Sequence, residues 1–125
     1  MKTNELTGAA LDWAVAKCEQ PEWWDNFPDE MAKGNLDMDG EGTYSPSTDW
    51  SQGGPIIERE NIALRGTWDG ETAGWITMKG RVEQTGPTPL IAAMRCYVAS
   101  KLGDEVDVPT ELTVEEIHKT MKYAV

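Results

Sequence analysis

Between Gly86 and Gly103 the chain spells out a helix with both ends marked. Thr88 stands where its hydroxyl can cap the first turn, and Pro89 follows at the first helical position, where a missing N–H costs nothing. Leu90, Ile91, Met94, Tyr97, Val98 and Leu102 recur at helical spacing and predict a wide apolar stripe. Gly103 suits the position just past the end, and Lys101 in the last turn complements the helix dipole. A stripe this wide must be buried, so the rest of the chain has to supply its cover. Arg95 lies away from the centre of the stripe and is expected to point outward.

Two segments before this helix read as strands. Thr67-Trp68 and Trp75-Ile76-Thr77-Met78 are rich in aromatic and β-branched residues. Asp69-Gly70 is a plausible hairpin turn between them, within a loop that can extend to Gly74. Gly80-Arg81-Val82-Glu83 reads as a continuation of the second strand. The chain is also expected to become strand-like from Ile56, through Ile57 to Leu64, where IERENIAL shows some alternation.

Leu6 to Cys18 predicts a first helix. Thr7 is a good cap, Leu6 and Leu11 have staple spacing, and Leu11, Ala14, Val15 and Cys18 follow the helical period. Trp13 lies off that stripe and is read as widening the buried face. A short C-terminal helix over about 113–123 starts at a capping box of Thr113 and Glu116, with Leu112 and Ile117 as its staple. Residues 21–42 read as an irregular acidic arm, which Trp23, Trp24 and Phe27 are expected to anchor to the body. The expectation is one domain, 1–125, of α+β class: a small antiparallel β-sheet packed against two or three α-helices, with a long irregular acidic loop.

Charge narrows the function classes. With 22 acidic against 11 basic residues the net charge is −11, which disfavours direct binding to duplex DNA. No apolar run approaches the length of a membrane span, and Met1 to Glu5 lacks the apolar core of a signal peptide. An intracellular protein with no membrane partner is expected. Cys18 and Cys96 sit in helical, apolar surroundings and read as buried free thiols in a reducing compartment. His118 is the only histidine, so a Cys–His pair would have to use it. Asp37 to Gly42, DMDGEG, superficially resembles a calcium loop, but Thr48 occupies the twelfth position where a bidentate Glu belongs. No metal, no cofactor and no catalytic set is expected.

The candidate site lies in Thr43 to Glu60, TYSPSTDWSQGGPIIERE. Its Pro and Gly content argues against a helix, and Ser45-Pro46 and Gly53-Gly54-Pro55 are turn signals. Tyr44 and Trp50 offer faces for stacking a nucleobase. Ser45, Ser47, Thr48, Asp49 and Gln52 supply donors and acceptors. Arg59 and Arg95 are positioned by type to grip a phosphate or carboxylate bidentately, and the Thr88 end of the long helix can hold an anion. If these groups converge they suit a nucleotide or a similar small anionic metabolite. The same residues could instead cap turns and fill a sheet edge. Glu58 and Glu60 share a strand face by spacing, but two carboxylates alone are weak evidence for acid–base chemistry.

Three passages resemble one family: LTGAALDWAVAK from Leu6 to Lys17, YSPSTDWSQGGPIIERE from Tyr44 to Glu60, and GPTPLIAAMRCYVASKLGDEVDV from Gly86 to Val108. Together they resemble the NinX-like proteins of tailed bacteriophages, a family of unknown function. The resemblance implies a phage-encoded accessory protein acting in the cytoplasm of the bacterial host. It brings no catalytic residues with it.

The reading that follows is a non-catalytic binding protein and homo-oligomer that sequesters a nucleotide signal of anti-phage immunity. One alternative is an acidic interaction protein or DNA mimic that binds a host protein. Another is a small nucleotide-processing enzyme.

Overall fold

In a computed structural model of the protein, residues 1–19, 44–68, 70–71 and 73–108 are described. The acidic arm of 21–42 with its three aromatic anchors, the DMDGEG run, Asp69, the 113–123 helix and His118 lie outside them.

The helix predicted after Gly86 forms over Pro89–Leu102 and is the middle layer of the molecule (α3). Its N-cap Thr88 accepts a bond from the Ile91 N–H, and Gly103 at the far end takes φ +88°. Leu90, Ala92, Ala93, Met94, Cys96, Tyr97, Val98 and Ala99 are all buried. That is more than one stripe, because α3 has neighbours on several sides. The sheet covers one side. The first helix, α1 (Gly8–Glu19), and a second, α2 (Trp50–Arg59), pack against the others. In α1, Ala10 through Ala16 are buried, Trp13 among them. Thr7 sits at the start of α1, where its carbonyl accepts the Leu11 N–H.

The sheet is an antiparallel meander of β1 (Ala63–Trp68), β2 (Ala73–Lys79) and β3 (Val82–Gly86), with β2 in the centre. Its register pairs Leu64 with Thr77 and Thr77 with Gln84. This row faces α3, where Thr77 is fully buried. The Thr77 hydroxyl donates to the Ala92 carbonyl at 2.8 Å, joining the central strand to the helix, while the Gln84 carbonyl lies at 3.1 Å as a second acceptor. Gly86 brings β3 against the same helix: a Cβ there would lie 2.8 Å from the Ala92 nitrogen.

Four expectations are corrected. Trp50 to Arg59 is helical despite Gly53, Gly54 and Pro55, because Asp49 caps it and starts it firmly. The strand-like reading from Ile56 to Leu64 gives way accordingly: the helix runs to Arg59 and β1 begins at Ala63. Gly80 and Arg81 do not extend the second strand. They form a two-residue turn between the paired Lys79 and Val82, after which β3 begins. Gly80 has φ +63° while Arg81 keeps a negative φ, the pattern of a type II′ hairpin turn. Arg95 does not point outward. It bends back onto backbone, its Nε donating to the Leu6 carbonyl at 2.8 Å and a terminal nitrogen to the Thr85 carbonyl at 2.9 Å.

Candidate functional site

The segment before α2 is a turn that stacks on the helix it introduces. The Ser45 carbonyl accepts the N–H groups of Thr48 and Asp49. The Ser45 N–H donates to Gln52 Oε1 at 2.7 Å, and Gln52 Nε2 donates to Asp49 Oδ2 at 3.1 Å. Asp49 Oδ1 accepts from the backbone and hydroxyl of Ser51. Those two bonds, the hydroxyl's first, hold the Asp49 carboxyl below its ordinary range. Ser45, Asp49 and Gln52 are therefore engaged in building the start of α2.

The turn is also tied to the core. The Ser47 N–H donates to Asp12 Oδ1 at 2.9 Å. Asp12 is a buried carboxyl on α1, and burial pushes its pKa up to about 6, against the opposing pull of Ser47, whose N–H it accepts. Tyr44 is packed into the hydrophobic core, and burial raises its phenol.

Gly53 fixes how closely α2 lies on its surroundings. A Cβ at this position would stand 2.3 Å from the Pro46 carbonyl oxygen and 2.6 Å from Leu90 Cδ2. Only a residue without a side chain fits there. This contact brings the first turn of α2 beside the first turn of α3. A cleft of about 210 Å³ opens where they meet, lined by Ser47, Thr48, Trp50, Thr88, Pro89, Leu90 and Ile91. Trp50 is 52% exposed. Of the ten residues proposed from the sequence, the structure brings Ser47, Thr48, Trp50 and Thr88 together here.

The two arginines are elsewhere. Arg59 makes a two-pronged pair with Glu19, at 3.0 and 2.7 Å, and binds Glu60 at 2.8 Å. Its guanidinium also lies 5.8 Å from the centre of the Tyr97 ring. The bonds to Glu19, then Glu60, raise its already high pKa. Tyr97 donates its hydroxyl to Glu19 as well. This cluster joins the C-terminal ends of α1 and α2 to α3. Arg95 is committed to the carbonyls of Leu6 and Thr85, and burial lowers its pKa.

Sequence reasoning missed Pro89, Leu90 and Ile91 as cleft walls, because a helical stripe does not reveal which of its members lie at an open end. It also missed Asp12. The available signal was a carboxylate set between Leu11 and Trp13 in an otherwise apolar helical run.

A second cleft, of about 290 Å³, is lined by Lys2, Asn4, Gln84, Asp104 and Glu105. Among the described residues no three His, Cys, Asp or Glu side chains are grouped to hold a metal ion. Nor is any helix there long and apolar enough to cross a membrane. The family model described as "Bacteriophage P22, NinX" matches residues 2–101, a span that includes both walls of the Trp50 cleft. No curated protein matches the chain.

Proposed function

The chain belongs to the phage NinX family, and on that premise we propose that it is a non-catalytic binding protein that sequesters a nucleotide-like ligand. The observation that carries the reading is the half-exposed indole of Trp50 at the mouth of the cleft between α2 and α3. A ring laid on Trp50 gains stacking of about 1–3 kcal/mol per base. Pro89, Leu90 and Ile91 supply an apolar wall beside it, and the hydroxyls of Thr48 and Thr88 can accept from or donate to ring edges. The positive end of the α3 dipole adds a weak attraction for electron-rich groups. In the setting of an infected bacterium, a protein that binds without turnover acts by lowering the free concentration of its ligand. A nucleotide signal of anti-phage immunity is the ligand class that fits such a role.

The test is incubation with a panel of linear and cyclic nucleotides, followed by repurification and release of the bound molecule by heat. Recovery of an intact ligand is expected, with at least about fivefold weaker binding by Trp50→Ala, as loss of one stacked base implies. Recovery of an altered molecule would replace the reading with an enzyme. Absence of any nucleotide binding, together with specific retention of one host protein, would replace it with the acidic interaction protein.

A further inference from the structure

We infer that the Trp50 cleft selects the uncharged, ring-bearing end of its ligand and rejects phosphate, so that a nucleoside moiety enters ring-first and any phosphates stay in solvent. The inference rests on the ring-binding reading above and adds the chemistry that the site admits.

Three observations support it. First, none of the described residues that line the cleft is Lys or Arg. The two arginines that the sequence offers as phosphate partners are held by Glu19 and Glu60, and by the carbonyls of Leu6 and Thr85. Second, the one charged side chain in the lining segment is an acid. Asp49 stands between the lining residues Thr48 and Trp50, solvent-facing and held anionic by Ser51. Its carboxylate turns onto Ser51 and Gln52 rather than into the cleft, and its charge, together with the net charge of −11, gives the neighbourhood a negative potential that disfavours phosphate. Third, the cleft is small. At about 210 Å³ it falls below the range of about 300–1,000 Å³ usual for sites that enclose a drug-sized ligand. One ring system fills it, and the rest of a nucleotide extends past its open mouth into solvent.

Nor do the helix ends reverse this preference. The Ser51 N–H at the α2 terminus is taken by Asp49, and the Ile91 N–H at the α3 terminus by Thr88.

The experiment is calorimetric titration of the full chain with four nucleosides and their 5′-mono- and 5′-triphosphates, at about 20 mM and about 300 mM salt, a range over which the Debye length falls severalfold. At low salt the best-bound nucleoside is expected to exceed its triphosphate by about fivefold or more, with the gap closing at high salt as repulsion is screened. Asp49→Asn removes the charge while its amide oxygen can still cap the Ser51 N–H, and is expected to narrow the low-salt gap, taken as the ratio of nucleoside to triphosphate affinity within that variant, to about twofold. A triphosphate that binds more tightly than its nucleoside, and weakens with salt, overturns the inference but leaves ring binding standing. A gap that Asp49→Asn does not change overturns the role given to Asp49. If no nucleoside and no nucleotide binds, the ring-binding reading itself falls.

Discussion

The backbone N–H of Ser47 donates to the buried Oδ1 of Asp12 at 2.9 Å, so a carboxylate on α1 holds the turn that forms one wall of the cleft. Burial raises the folded-state pKa of Asp12 from 3.8 to about 6. The folded protein therefore keeps a proton that the unfolded chain gives up. Its contribution to stability is complete below about pH 4 and is lost as pH rises through about 6. From the shift, the swing is roughly 3 kcal/mol. Asp12→Asn is expected to remove this slope, so that the stability difference between variant and parent changes by roughly 2 kcal/mol between pH 4 and 7. Urea unfolding at both pH values measures it.

Adjacent glycines of α2 are expected to respond by different amounts. Gly53→Ala drives a methyl into the Pro46 carbonyl and Leu90 and is expected to cost about 1–3 kcal/mol as overpacking. At Gly54 a Cβ would stand 3.8 Å from the Trp50 ring, in ordinary contact. Gly54→Ala is expected to cost less than Gly53→Ala, because a helix-propensity gain of about 0.5–1 kcal/mol offsets the crowding of its methyl by Pro55. Thermal unfolding of the two variants side by side decides the matter.

Tyr97→Phe removes the hydroxyl that Glu19 accepts, beside Arg59. A loss of about 1–2 kcal/mol is expected for a bond to a charged group. Arg59→Ala is expected to cost less than its number of contacts suggests, about 1 kcal/mol, because its side chain is half exposed. Denaturant midpoints of the two variants test this ordering.

Cys18 is expected to be a slow thiol. Burial, then the neighbouring Glu19, pushes its pKa up to about 12. Very little thiolate then exists at neutral pH, and the thiolate is the species that reacts. Alkylation by iodoacetamide at pH 7.5, followed by mass spectrometry, is expected to lag a free thiol by more than about tenfold. Labelling at the rate of an unstructured cysteine contradicts the burial.

The parts of the fold that were legible in the sequence are those where local signals agree. Thr88, Pro89 and Gly103 mark the ends of α3 independently of its apolar period, and the aromatic and β-branched residues of β1 and β2 need only their neighbours to be read. The helix α2 was hidden because Gly53-Gly54-Pro55 carries the strongest turn chemistry in the chain. Gly53 is there for a different reason: close approach to Pro46 and Leu90, which no local rule reports. The cleft was legible in part. Trp50 and Thr88 could be named from residue type, but whether Arg59 faces a ligand or Glu19 depends on a contact across 40 residues. Tyr44 is drawn into the core and Arg95 onto the Leu6 and Thr85 carbonyls for the same reason, since long-range contacts leave little trace in sequence spacing.

The packing of α1 on α3 also bears on the order of assembly. The sheet and α3 occupy one unbroken stretch, 63–102, whose contacts close over short loops, whereas α1 must be gathered from some 70 residues upstream. Loop-closure entropy makes such distant contacts late. The meander with α3 is therefore expected to form the folding nucleus, with high φ-values at Thr77 and Met94 and low ones at Val15. Mutations in α1 should then accelerate unfolding rather than slow refolding, leaving the cleft wall held by Asp12 the last part of the site to be completed.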